Sequence, residues 1–249
     1  MVMVQQKFIF NIKLRNMYTD TIILPVSDGS QMNAFIAHPE TNKSLPGILL
    51  FQEAFGVNHH IKDVAQRLAN EGYVVIAPEL YHRTAPGFAT GYDDFSVIAP
   101  HFQALTTEQL SVDILAAYHW LQNEQNVQIN KIASIGFCLG GRVALLANMV
   151  APLSAGISFY GGGMHALANR VNELHGPQLF FYGGKDQHIT EAHRNEVEQA
   201  LITANKDYAK VIFSYADHGF HCNEQASYHP KAAKEAWALS LAFLQNNLQ

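Results

Sequence analysis

The chain has 249 residues, 48% of them hydrophobic, and a formal net charge of −5 at pH 7. This length suits one domain with a large apolar core, and the mixed charges give no sign of a nucleic-acid or membrane partner. Its longest apolar runs are too short to cross a bilayer. Residues 1–19 lack the features of a secretory signal. We therefore expect a cytoplasmic monomer or small homo-oligomer, with a poorly ordered extension at 1–19 and a single domain at 20–249.

Hydrophobic patterning predicts a mostly parallel, doubly wound α/β fold with about eight strands. A hairpin over 21–37, with its turn at 27–30, opens the domain. Strands and helices then alternate, which favours a parallel sheet covered by helices on both faces. The expected later strands cover 48–52, 73–77, 132–137, 155–160, 178–182 and 210–215, and the expected helices cover 61–70, 107–125, 143–150, 191–204 and 226–248. Residues 79–106 read as a long irregular region, which in a compact domain is typically functional or mobile.

One strand–turn–helix stretch carries the pattern of a nucleophile elbow. The strand that ends at Phe137 leads into Cys138, which stands within Gly136-Phe137-Cys138-Leu139-Gly140. An apolar helical run follows. Such a turn forces its central residue into a strained backbone conformation, and its close packing requires glycine on either side. It also lifts the nucleophile above a helix N-terminus, where N–H groups stabilise negative charge. The pattern predicts Cys138 as the nucleophile.

A nucleophilic cysteine needs a base, and the base needs a carboxylate to orient it. In α/β-hydrolases these groups follow in the order nucleophile, acid, histidine, each just beyond the end of a strand. Asp186 follows the strand at 178–182, and His218 follows the strand at 210–215. The sequence therefore predicts a Cys138–His218–Asp186 triad. The other histidines are predicted to bind no metal, and the chemistry calls for no cofactor.

At this point the chain resembles the dienelactone hydrolases (carboxymethylenebutenolidases), a branch of the α/β-hydrolase fold with a Cys-His-Asp triad. The resemblance covers about residues 20–248. Its strongest parts are Gln52-Glu53-Ala54-Phe55-Gly56-Val57-Asn58, Pro78-Glu79-Leu80-Tyr81-His82-Arg83-Thr84-Ala85-Pro86-Gly87, the elbow, and the loops carrying Asp186 and His218. It implies a hydrolase that cleaves a small-molecule lactone or ester through a thioester intermediate.

The resemblance also implies roles for further residues. Glu53 is similar to a glutamate that contacts the resting thiol and takes up its proton when substrate binds. The N–H groups of Leu139 and Ala54 are expected to form the oxyanion hole, since one donor follows the nucleophile. Arg83 is similar to an arginine that binds the substrate carboxylate. The residues Tyr81 and Phe55 lie in the matching motifs and are expected to contact substrate.

One departure from the family pattern concerns substrate charge. The family's type member has a second arginine four residues after the catalytic histidine, and Cys222 stands there in this chain. Recognition of an anionic dienelactone is then less secure, and a broad carboxylesterase or thioesterase is an alternative. A non-catalytic ligand-binding scaffold is a further one. Cys222 is either a filler residue or a partner for Cys138 in an oxidised pair.

Overall fold

A computed structural model of the protein describes residues 16–248. It contains one eight-stranded sheet with the order β1-β2-β4-β3-β5-β6-β7-β8. The strands are β1 (Met17–Pro25), β2 (Gln31–Pro39), β3 (Leu45–Phe51), β4 (Val74–Pro78), β5 (Val127–Phe137), β6 (Ala155–Phe159), β7 (Gln178–Gly183) and β8 (Tyr208–Phe213). This is the α/β-hydrolase sheet that the sequence predicts.

The sheet combines parallel and antiparallel strands. The strands β3 to β8 are all parallel to one another, whereas β1 and β2 form an antiparallel hairpin that joins the sheet antiparallel to β4. In β4, β6 and β7 every residue is buried, as expected for strands with helices on both faces. Parallel strands end at the same edge, so the loops after β3, β5, β7 and β8 meet there.

The described residues 16–248 contain six α-helices: α1 (His59–Asn70), α2 (Ala99–Gln103), α3 (Thr107–Asn123), α4 (Leu139–Val150), α5 (Glu191–Thr203) and α6 (Pro230–Asn247). Polar side chains cap four of them, and in α6 the His229 side chain accepts from the Ala232 N–H. Asn58, Thr106 and Thr190 each accept a hydrogen bond from a backbone N–H in the first turn of α1, α3 and α5. Across residues 16–248, the helices lack the length and apolarity that a membrane crossing requires.

The structure differs from the predicted elements in four places. The strand β1 begins at Met17, because it pairs along its full length with β2, so the predicted boundary at residue 19 falls inside the sheet. Residues 1–15 of the predicted extension lie outside the described residues. The irregular region contains the short helix α2, and a 3₁₀ helix covers Met164–Glu173. The last helix begins at Pro230 rather than at 226, since proline favours the first helical position.

Candidate active site

The elbow places Cys138 between the end of β5 and the start of α4. Its φ of 54° and ψ of −114° lie where side chains are strained, as the sequence predicts. An ideal Cβ on Gly136 would lie 1.8 Å from the carbonyl oxygen of Gly140. One on Gly140 would lie 2.2 Å from the carbonyl oxygen of Phe51. Both glycines are therefore required by the backbone packing, and Cys138 is left half-buried at the helix N-terminus.

The loops after β7 and β8 bring a histidine and an aspartate together at the same edge. His218 Nδ1 lies 2.8 Å from Asp186 Oδ2. The second oxygen of Asp186 accepts hydrogen bonds from the backbone N–H groups of His188 and Ile189, at 2.7 and 3.0 Å. Burial alone would raise the pKa of Asp186, but these contacts outweigh it and hold the pKa below its usual range. Asp186 is therefore a fixed carboxylate that orients the imidazole.

Electrostatics link His218 to the cysteine as well as to the aspartate. Burial disfavours the charged imidazolium, yet its interactions with Asp186 and with the Cys138 thiol raise the pKa of His218 to about 10. A histidine with a raised pKa binds a proton readily. The structure thus brings the three predicted triad residues together, in an arrangement that can move a proton between Cys138 and a reacting group.

The two predicted oxyanion donors lie on either side of the elbow. Leu139 is the first residue of α4, so its N–H has no acceptor one turn back in the helix. Within residues 16–248, the Ala54 N–H has no backbone or side-chain acceptor. The Tyr81 hydroxyl donates a hydrogen bond to the Ala54 carbonyl oxygen at 3.0 Å. Tyr81, a predicted substrate contact, therefore positions the Ala54 peptide.

Glu53 is fully enclosed just below this edge of the sheet. Its carboxylate accepts hydrogen bonds from Tyr92 at 3.2 Å and from Gln225 at 3.2 and 3.3 Å, with Tyr160 at 3.5 Å. Burial raises its pKa to about 7, although these hydrogen bonds and the nearby His218 oppose the shift. Cys138 is not among the hydrogen-bond partners of Glu53 in the described part of the chain. Tyr92 and Gln225 form the hydrogen bonds that hold the Glu53 carboxylate, and the thiol contact that the resemblance implies stays a prediction.

Arg83, for which the resemblance implies binding of a substrate carboxylate, is hydrogen-bonded to two carboxylates of this chain. Its Nε and one terminal nitrogen donate to Asp28 at 2.8 and 2.7 Å, and its terminal nitrogens donate to Asp113 at 2.8 and 2.7 Å. Asp28 lies in the β1–β2 turn, and Asp113 is a fully buried residue of α3. The guanidinium is therefore occupied by two carboxylates from this chain, and it ties the hairpin and α3 to the loop after β4.

Phe55 belongs to a loop that packs against the long irregular region. Its ring meets the Tyr92 ring edge-on, with centroids 4.5 Å apart, and its carbonyl accepts a hydrogen bond from the Thr90 N–H. The Asn58 side chain, which caps α1, also donates to the Tyr92 hydroxyl at 3.0 Å. Tyr92 therefore connects this loop to Glu53. Sequence reasoning missed it because it lies in a stretch with no periodic pattern.

A cluster of three buried side chains, one of them Glu53, could hold a metal ion. Glu53, His60 and Cys222 each place one ligand atom within 4.8 Å of the others. Two of them are already bonded, since the Cys222 thiol lies 3.1 Å from the Tyr92 hydroxyl, its hydrogen-bond acceptor. Burial raises the pKa of Cys222 to about 11. Metal ligands must be deprotonated, so these surroundings favour a neutral hydrogen-bonded cluster. Both cysteines, Cys138 and Cys222, are free thiols here.

The structure adds an arginine that sequence reasoning did not single out. Arg142 lies in the first turn of α4, four residues after Cys138, and is half-buried. Its guanidinium carbon lies 6.0 Å from the centre of the Phe102 ring in α2. An ideal Cβ on Gly163, beyond the end of β6, would lie 3.2 Å from one of its terminal nitrogens. Its spacing from Cys138 on the elbow helix was a usable signal.

Comparison with known proteins agrees with this architecture. The dienelactone hydrolase family model matches residues 32–248. Over 240 residues the chain is 34% identical to the "Putative carboxymethylenebutenolidase" of Synechocystis, an alignment that covers 92% of this chain and 97% of that protein. A similarly named Saccharolobus solfataricus protein is 31% identical over 252 residues, covering 88% of this chain and 95% of that protein.

A solved structure is similar over almost the whole chain. The crystal structure titled "Putative Dienelactone Hydrolase" from Klebsiella pneumoniae has a TM-score of 0.85 and 31% sequence identity, covering 93% of this chain and 99% of that one. The family match and these relatives each cover most of the molecule. The chain therefore belongs to the dienelactone hydrolase family and is a carboxylic ester hydrolase.

Proposed function

We propose that the protein hydrolyses a small-molecule lactone or ester through a covalent thioester on Cys138. The observation that carries the proposal is the strained, glycine-framed position of Cys138 beside the His218–Asp186 pair. A side chain held at a φ of 54° costs free energy, and strain of this kind clusters at active sites. Family membership supports the same class of reaction.

The proposed reaction has two halves that share one proton carrier. Cys138 Sγ attacks the carbonyl carbon, and the oxygen becomes an oxyanion held by the N–H groups of Leu139 and Ala54. The C–O bond to the leaving group then breaks as His218 donates its proton to that oxygen. In the second half His218 removes a proton from water, the hydroxide attacks the thioester, and the Cys138 thiolate leaves. Asp186 keeps the imidazole in one orientation throughout.

Glu53 is proposed to take up the thiol proton when substrate binds and to return it to the Cys138 thiolate once the thioester is hydrolysed. A carboxyl group whose pKa is raised to about 7 is a useful proton acceptor near neutral pH. Tyr92 and Gln225 hold the carboxylate in place until then. The raised pKa also means that part of the enzyme carries a protonated Glu53 at neutral pH, which cannot accept the thiol proton.

The test is steady-state hydrolysis of a cis-dienelactone beside a neutral p-nitrophenyl ester. The variant Cys138→Ala should lose at least about 1,000-fold in kcat/KM on every substrate that the wild type cleaves, because no nucleophile is left. Cys222→Ala is the matched control and should retain turnover. Mass spectrometry of quenched reactions should show the acyl group on Cys138. If Cys138→Ala keeps wild-type turnover, the nucleophile has been misassigned.

A second candidate is a broad carboxylesterase or thioesterase without dienelactone activity. Two observations favour it: Cys222 is uncharged where a second arginine is expected, and the Arg83 guanidinium is engaged by Asp28 and Asp113. Turnover of the neutral ester with no turnover of the dienelactone would select this candidate. A non-catalytic scaffold, the third possibility, would show neither turnover nor reaction of Cys138 with a thiol-directed electrophile.

A further inference from the structure

We propose that Arg142, rather than Arg83, binds an anionic group of the substrate beside Cys138. The inference rests on the proposed function, because it concerns the same site and names the charge of its substrate. It assigns to this enzyme a lactone or ester that carries a carboxylate close to the bond being cleaved.

Arg142 differs from the other arginines of residues 16–248 in its polar contacts. Among residues 16–248, Arg142 has no ion pair within 4.0 Å and no side-chain hydrogen bond. Each of the other four arginines in this part of the chain has one or the other: Arg67 pairs with Asp63, Arg83 with Asp28 and Asp113, Arg170 with Glu173, and Arg194 donates to the Ile189 carbonyl. A half-buried guanidinium without a partner is costly, so it points to a ligand with the opposite charge.

The position of Arg142 on α4 sets the direction of its side chain. Side chains on an α-helix tilt toward its N-terminus, and residues four apart lie on one face. Arg142 therefore extends back toward the turn that carries Cys138. Phe102 and Gly163 flank its guanidinium, which holds it at the edge of the sheet where the triad lies.

Two groups of the site act electrostatically on Arg142. Burial lowers the pKa of Arg142, while the Cys138 thiol and the Tyr81 hydroxyl act in the opposite direction. Both of these groups are thus within electrostatic range of the guanidinium, and no carboxylate of the described chain is among the groups acting on it. Tyr81 also holds the Ala54 peptide. A substrate whose carbonyl oxygen reaches Ala54 would therefore place a neighbouring carboxylate within the range of Arg142.

The chemistry suits a carboxylate. A planar guanidinium donates two parallel hydrogen bonds to a carboxylate, and such charge-assisted pairs are among the stronger contacts in a partly desolvated site. Arg83 cannot supply them without giving up Asp28 or Asp113, one of which is fully buried. Arg142 thus fills the role for which the family pattern led us to expect Arg83 and a second arginine.

The experiment compares two alkylating reagents of similar size and different charge. Iodoacetate is an anion and iodoacetamide is neutral, and with either one the sulfur of Cys138 displaces iodide and forms a C–S bond. Rates are measured on the Cys138 peptide by mass spectrometry. In the variant Arg142→Gln the iodoacetate-to-iodoacetamide rate ratio should fall about tenfold, in line with the loss of one charge-assisted contact. Arg142→Lys should restore part of it.

Arg83→Gln is the matched control, and its ratio should stay within about twofold of wild type. In wild type the iodoacetate rate alone should fall as salt is added, which tests the proposal without any variant. A wild-type ratio retained by Arg142→Gln, or lost in Arg83→Gln alone, overturns the inference. If Cys138 reacts with neither reagent, this inference is overturned, whereas the proposed function is decided by the turnover of wild type and Cys138→Ala.

Hydrolysis separates the two proposals. The ratio of kcat/KM for the dienelactone to that for its neutral methyl ester should fall at least about tenfold in Arg142→Gln. Cys138-dependent turnover with a ratio unaffected by Arg142→Gln leaves the proposed function standing and contradicts the anion site. An Arg142-dependent alkylation ratio without any hydrolysis supports the anion site and contradicts the proposed function.

Discussion

The elbow and the Arg83 cluster, which we define as Asp28, His82, Arg83 and Asp113, hold neighbouring loops by opposite means. In the elbow no side chain forms the support, since backbone atoms pack where a Cβ would otherwise lie. In the Arg83 cluster the support consists of charges, with one arginine joining an exposed turn aspartate to a fully buried helix aspartate. The elbow fixes the position of one sulfur atom, whereas the cluster fixes how three segments of chain pack together.

The two regions therefore tolerate different kinds of substitution. In the elbow an added methyl group meets backbone, which has no other rotamer to adopt, so volume is the critical quantity. In the Arg83 cluster volume matters less than charge, because removal of one partner leaves another charge buried. Substitutions in these two regions and at Glu53 test this difference.

Gly140→Ala tests the elbow. Its Cβ would lie 2.2 Å from the Phe51 carbonyl oxygen and 2.5 Å from that of Gln52, so one of the chains must move. We expect a loss of at least about 3 kcal/mol in the free energy of unfolding, at the upper end of overpacking effects, together with loss of turnover. Denaturant unfolding and p-nitrophenyl ester hydrolysis measure the two effects. Gly162→Ala, where a Cβ would meet no atom within 4 Å, is the control. Equal stability of the two variants would show that the elbow relaxes.

Arg83→Gln tests the Arg83 cluster. It leaves the fully buried Asp113 without its arginine partner, with His82 Nε2 at 3.8 Å. We expect a loss of about 3 kcal/mol in unfolding free energy, as for other broken buried pairs. Burial already raises the pKa of Asp113 against the opposing effect of Arg83, so the variant should be most destabilised at high pH. Thermal unfolding at pH 5 and pH 8 measures this dependence.

Arg170→Gln is the control for that loss. Its exposed pair with Glu173, three residues away on the 3₁₀ helix, should contribute only about 0.5 kcal/mol. A similar small effect in Arg83→Gln would mean that Asp113 is solvated or protonated in the folded protein, and the comparison with the elbow would fail.

Glu53→Gln tests the buried carboxyl beside the elbow. The folded pKa of about 7 lies above the reference value of 4.5, so the folded protein binds more protons than the unfolded chain between these values. Wild-type stability should therefore fall as pH rises through this range, whereas the variant carries no such group. The stability of Glu53→Gln relative to wild type should grow by about 2 kcal/mol from pH 5 to pH 8.

Glu196→Gln, on the exposed surface of α5, is the control for the substitution itself. If Glu53→Gln and wild type show parallel stability curves from pH 5 to pH 8, Glu53 is ionised in the folded state throughout. That outcome would also remove the basis for its proposed role as a proton acceptor.

The sequence predicted the parts of the fold that depend on local pattern. Buried strands, their alternation with helices and the glycine-framed turn at Cys138 are all visible within short windows. The meeting of Cys138, Asp186 and His218 could also be expected, because parallel strands end at one edge of a sheet. The catalytic role of that trio stays a prediction until turnover is measured.

Other features depend on long-range pairing and had no local signal. The partners of Arg83 lie 55 and 30 residues away, and no window of sequence shows that a turn aspartate and a helix aspartate converge on it. Tyr92 reaches Glu53 from an irregular stretch in the same way. The strand β1 begins at Met17, inside the predicted extension, and its polar outer side chains give no apolar pattern there, although the strand pairs along its whole length.

The glycine framing of the elbow also bears on how such an enzyme can change over generations. The frame constrains positions 136 and 140 by volume, yet at position 138 it constrains only the backbone. A lineage can therefore exchange the nucleophile between thiol and hydroxyl by one substitution while the frame stays the same. A saturation library of residues 136–141, selected for folding alone, should accept many side chains at Cys138 and almost none at Gly136 or Gly140. The identity of the reacting atom can thus change independently of the backbone turn that holds it.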